Sequence, residues 1–161
     1  MSTRPDAEGG PVRPLVALAF ATAAFIALLI FGLGMVSLAI GEAVIEVPGL
    51  GQLPGILGTI LTTAAFAGTL WAAVRRRSPT YWGAVWTAGA CYLAYVVGVW
   101  FGAVVTGSDL AAAGSAAGRI ATSWFGVVVA AAALVAAWGG IALVRTRSQR
   151  PRWPWEDEFD E

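Results

Sequence analysis

Few side chains in this 161-residue chain could do chemistry, and their positions limit what that chemistry would be. Glu42 and Glu46 stand four residues apart, the spacing that places two carboxylates on one helix face, where they could hold a cation or a basic partner. The simpler role for two acids just before the Pro-Gly-Leu-Gly run at 48–51 is to solvate a loop. Thr87, Tyr92 and Tyr95 are the polar side chains nearest the middle of the longest uncharged stretch; they would line a small cavity or bond to neighbouring helices and backbone. Cys91, between them, is the single cysteine and suits a small packing position. A single cysteine excludes a disulfide within the chain, and with no histidine either, Cys-rich or His-rich metal and haem sites are untenable. With no visible grouping of nucleophile, base and orienter, neither an enzyme nor a cofactor, metal site or small-molecule substrate is expected.

The remaining charges are segregated. Mean hydropathy is +0.72 and 12% of residues are charged, too few to cover a soluble globule, so an integral membrane protein is the expected class. The net charge of zero conceals three basic clusters. Arg75, Arg76 and Arg77 interrupt two long uncharged stretches; each would cost about 2.5–3.5 kcal/mol at the centre of a membrane helix, which places the triplet in water or among headgroups. At the C-terminus, Arg145, Arg147, Arg150 and Arg152 precede Trp153-Pro154-Trp155, and five acids fall in the last six positions. The arginines each add about 1 kcal/mol of attraction to anionic lipid, and Trp153 and Trp155 suit headgroups. The sharper alternative is a docking peptide for a basic cytoplasmic partner.

The elements that hold these groups follow from the uncharged stretches. Residues 1–13 form a polar tail, expected to be disordered and cytoplasmic. Pro14 to Gly41 carries no charge over 28 positions, against about 20 needed to span a bilayer core. This is a first transmembrane helix over about 14–41; a signal peptide competes, but no small-residue cleavage site follows a short apolar core. Further helices are expected over about 54–74, 80–105 and 119–144, giving a membrane domain of 14–144 and a tail of 145–161. Pro54 suits a first helical turn, and Ser108 and Asp109 suit the cap of a short segment through the alanines after Leu110. At 100° per residue, Trp82, Trp86, Leu93 and Trp100 fall on one side of the third helix, facing lipid. Ala90, Ala94, Gly98 and Gly102 form a small-residue ridge on another, and Gly118, Thr122, Gly126 and Ala130 repeat the spacing in the fourth.

Alternation of four helices puts Arg4, Arg13, the triplet and the four tail arginines on one side, and Arg119 alone on the other. The positive-inside rule then makes both termini cytoplasmic. Small drug/proton exchangers resemble the chain in size and topology but depend on a glutamate within the first helix; Glu42 and Glu46 lie at or past that helix's end, so their function does not carry over. Quinone reductases of the disulfide-forming kind need paired cysteines, and bis-histidine cytochromes need histidine. The Arg-without-Lys, Gly/Ala-rich helices, the Trp-Phe-Gly start of the last helix at 124–126 and the ending Arg-Pro-Arg-Trp-Pro-Trp-Glu-Asp-Glu resemble small uncharacterised membrane proteins of actinobacteria. That resemblance implies a bacterial plasma membrane and no assigned activity. The expectation is an all-α integral membrane four-helix bundle of two hairpins. Its expected role is that of an accessory or scaffold component whose partners are the bilayer and a homo-oligomer or larger membrane complex, and not nucleic acid. A small transporter or channel formed on oligomerisation is the alternative.

Overall fold

The computed structural model describes residues 13–41, 52–76 and 80–145. Among them are five helices and no strand: α1 (Pro14–Ile40), α2 (Leu53–Val74), α3 (Trp82–Val105), α4 (Leu110–Thr122) and α5 (Trp124–Arg145). Four of these, α1, α2, α3 and α5, are long and apolar enough to cross a membrane. At 1.5 Å per residue the 27 residues of α1 reach about 40 Å, and the 13 of α4 only about 20 Å.

The helix ends follow local chemistry. Proline in the first turns of α1 and α2 lacks an N–H that would be unpaired there in any case. Gly41 ends α1 at φ 68°, the left-handed cap that a side chain disfavours. Asp109 starts α4, its carboxylate accepting from the Ala112 N–H at 2.6 Å.

Burial separates central from peripheral helices. α1 buries one stripe at four-residue steps, Ala17, Ala21, Phe25 and Leu29, and α2 buries Pro54, Gly58, Thr62, Phe66, Leu70 and Val74 in the same manner. α3 and α5 each bury a broad face rich in Ala and Gly, which lets them form the centre of the bundle. The pairing is not that of two independent hairpins. α2 packs most extensively on α3 and α1 packs on α5, while α1 and α2, consecutive in the chain, touch less. Their main aromatic contact is Phe25 stacked on Phe66, with centroids 4.4 Å apart.

The expected fourth helix over 119–144 is corrected by the structure. Ser123 is extended, at φ −95° and ψ 168°, and divides that stretch into the end of α4 and the start of α5. Two features stabilise the break. Tyr92 on α3 donates its hydroxyl to the Ala121 carbonyl at 2.8 Å, satisfying an acceptor that the end of α4 leaves open. Gly126 lets the first turn of α5 fold against that end: a methyl there would stand 2.7 Å from the Ile120 oxygen and 3.0 Å from the Tyr92 ring. At its other end α4 packs Ala113 against Ala103 and Val104. Between Ala103 and Tyr92 lie about 16 Å of α3, so α4 runs back along the flank of α3 toward the bundle's middle.

Candidate functional site

Among the described residues, the interior of the bundle is apolar side chains with a few hydroxyls and one thiol. Phe25, Phe66, Tyr95, Leu70, Val99 and Val129 fill the space between α1, α2, α3 and α5. The polar groups there bond to the backbone. Thr62 on α2 donates to the Cys91 carbonyl on α3 at 2.8 Å, and the Cys91 thiol lies 3.8 Å from the Thr62 carbonyl in return. Thr87 donates to the Gly83 carbonyl one turn back, at 2.8 Å. Among the described residues no buried side-chain nitrogen or oxygen lacks a partner, and no three of His, Cys, Asp or Glu converge. Thr87, Tyr92 and Cys91 thus act as ties within and between helices, while Tyr95 is buried with its ring against Gly58.

Charge and aromatic surface converge instead at one end of the bundle. Methyls built at two glycines show which termini share that level. One at Gly140 would stand 2.9 Å from Ala21 and 3.2 Å from Leu70, and one at Gly83 3.0 Å from Ala73 and 3.4 Å from Ile141. The start of α1, the end of α2, the start of α3 and the end of α5 therefore lie together. Arg75 sits over the Trp71 ring at 5.2 Å, and Arg145 over Tyr81 at 4.6 Å. Tyr81 also stacks on Trp138, with centroids 6.0 Å apart, which fastens α3 to α5.

Beside this layer, the end of α2 and the start of α3 border a cleft of about 270 Å³. Thr69, Ala72, Ala73 and Arg76 form its α2 wall; Trp82, Gly83, Trp86 and Thr87 form its α3 wall, with Thr80 at the connection. Trp82 and Trp86 are exposed, Trp86 by 77%. The polar mouth and apolar walls match the interface of a bilayer, where tryptophan and arginine side chains keep one end wet.

The residues singled out in the sequence separate into distinct places. Gly98 and Gly102 meet the α2 backbone: a methyl at Gly98 would stand 2.7 Å from the Gly58 Cα, and one at Gly102 2.5 Å from the Pro54 Cα. Ala90 and Ala94 are half-buried. Their ridge is spent on packing within the chain. The series Gly118, Thr122, Gly126 and Ala130 does not form one ridge, because Ser123 puts its first two members on α4, both exposed, and its last two on α5. Arg75, Arg76 and Arg145 stand at the basic end; Arg77, Arg147, Arg150, Arg152, Trp153, Trp155, Glu42 and Glu46 lie outside the described residues.

Sequence reasoning missed the outward face of α2. Ala64, Gly68 and Ala72 are exposed at four-residue steps below Ile56 and Ile60, and a methyl at Gly68 would meet nothing within 4 Å. The spacing was visible; exposure needed the neighbouring helices in place.

Fold and surface together define an all-α protein with four helices fit to cross a membrane, a filled interior and a basic, tryptophan-rich end. The chain belongs to a family of unknown function, DUF6121, whose model matches residues 13–161. Nothing among curated proteins or solved structures matches it.

Proposed function

We propose that the protein is a non-enzymatic accessory or scaffold component of a bacterial plasma membrane, of actinobacterial type, with both termini cytoplasmic. It packs laterally against a second copy or a larger membrane complex. The observation that carries this reading is the contrast between two small-residue faces. That of α3 is consumed by α2, while Ala64 and Gly68 on α2 stay uncovered beside Ile56 and Ile60. In lipid, close backbone approach at small residues is a main source of helix association, so an uncovered face of this kind suits a partner helix. A filled interior with its hydroxyls bonded to backbone favours this role over transport, which needs polar groups converging on a membrane-depth cavity. The orientation rests on the arginine distribution.

The test is affinity purification from native membranes in mild detergent, comparing the wild-type chain with Gly68→Leu. The wild type is expected in a homo-oligomer or with a membrane partner, and Gly68→Leu as a monomer of unchanged helicity. A wild-type chain recovered alone and monomeric contradicts the proposal.

A further inference from the structure

We infer that the cleft between the end of α2 and the start of α3 binds the phosphate headgroup of an anionic glycerophospholipid, with Arg76 as the anion-binding residue. The cleft lies where one membrane-length helix ends and the next begins, the level of lipid headgroups. Its charge is not neutralised by the described residues. Arg75 and Arg145 are seated on aromatic rings, and the one described carboxylate, Asp109, caps α4 at the bundle's other end. Arg76 is exposed and lines the cleft, with no such ring partner among the described residues. The start of α3, which has no side-chain cap, borders the same mouth, so the positive end of its dipole adds to the field of Arg76.

Phosphate is the shared chemistry, and it could arrive free or on a lipid. The walls favour the lipid. Ala72, Ala73, Trp82 and Trp86 give a soluble anion nothing, whereas a glycerol backbone and the first methylenes of an acyl chain bury apolar area against them.

The experiment uses the full chain in detergent micelles and measures adducts by native mass spectrometry during titration with dioleoyl phosphatidylglycerol, dioleoyl phosphatidylcholine or inorganic phosphate. The wild type is expected to retain phosphatidylglycerol in preference to phosphatidylcholine, with inorganic phosphate unable to displace it. Arg76→Gln should weaken that binding by about five-fold or more, the effect of one basic contact at a membrane surface. Arg75→Gln removes the same charge outside the cleft and should leave it unchanged. Ala72→Leu keeps every charge but fills the apolar wall, and should also weaken it. Equal losses in Arg75→Gln and Arg76→Gln would reduce the effect to general surface charge and overturn the site. Unaltered binding in Ala72→Leu, or displacement by inorganic phosphate, would overturn the lipid assignment. Arg76 and Ala72 are both exposed, so neither substitution disturbs the core.

Discussion

Gly98→Ala and Gly102→Ala put the packing of α3 on α2 to a direct test. The added methyl carbon would stand 2.7 Å from the Gly58 Cα in the first variant and 2.5 Å from the Pro54 Cα in the second. Carbon atoms pack at about 3.5–4.0 Å, so α2 and α3 must part by about 1 Å; neither obstacle is a side chain that can swing away. A gap of that size forfeits about a quarter to a half of each contact's attraction across the seam, where Tyr95 and Val99 close on Gly58. Overpacking of this kind typically costs about 1–3 kcal/mol. Alanine restores about 0.5–1 kcal/mol through its better helix propensity, leaving a net loss of about 0.5–2 kcal/mol per site. The double variant should lose less than the sum, because the first substitution has already opened the seam that the second needs.

Gly89→Ala is the matched control. That glycine lies in the same helix as Gly98 and Gly102, and a methyl there meets nothing within 4 Å. The variant should unfold no more readily than wild type, and slightly less readily if propensity acts alone. The assay is unfolding in mixed micelles at rising dodecyl sulfate fraction, followed by far-ultraviolet circular dichroism. If Gly98→Ala and Gly102→Ala match Gly89→Ala in midpoint, α3 does not pack on α2 backbone to backbone, and the reasoning is refuted.

Three further perturbations address other ties. Thr62→Val removes the donor to the Cys91 carbonyl with little change of volume, and the same unfolding assay should show a loss of about 0.6–1.7 kcal/mol, the range for interhelical bonds in membranes. Tyr92→Phe frees the Ala121 carbonyl at the end of α4, so amide exchange in residues 118–122 should quicken while that in α2 does not change; uniform acceleration would place the role of Tyr92 elsewhere. Reporter fusions after residues 76 and 145 should read cytoplasmic and one after residue 109 periplasmic, and a periplasmic signal at 76 would invert the proposed orientation.

The four apolar helices were legible because the bilayer imposes a length requirement that counting uncharged residues answers directly. The same counting was blind to Ser123. Ala and Gly continue on both sides of it, and only the Tyr92 bond and the close approach at Gly126 make an extended residue stable there. Four-residue spacing of small residues was equally legible in two places, with different outcomes. At Gly98 and Gly102 it lies on one unbroken helix facing α2, whereas from Gly118 to Ala130 it crosses a break. The arginines at the basic end could be read from charge alone, but the cleft could not, since its walls come from the end of one helix and the start of the next once they are packed together.

A fifth helix bears on topology only if it is long enough to cross a membrane, and α4 is not. Its 13 residues reach about 20 Å, short of a hydrocarbon core of about 30 Å, and it runs back along the flank of α3 from Ala103 toward Tyr92. The end-to-end relation of the long helices gives the same answer independently. Arg145, at the close of α5, stands over the ring of Tyr81 just before α3, and Gly140 approaches both Ala21 near the start of α1 and Leu70 near the end of α2. Had α4 counted as a span, the end of α5 would fall at the opposite end of the bundle from the α2–α3 connection, and none of these contacts could form. The basic residues Arg75, Arg76 and Arg145 therefore share one end through packing alone. The positive-inside rule is left with a single choice, which of the two ends faces the cytoplasm, and the nine arginines set against Arg119 bear on that choice.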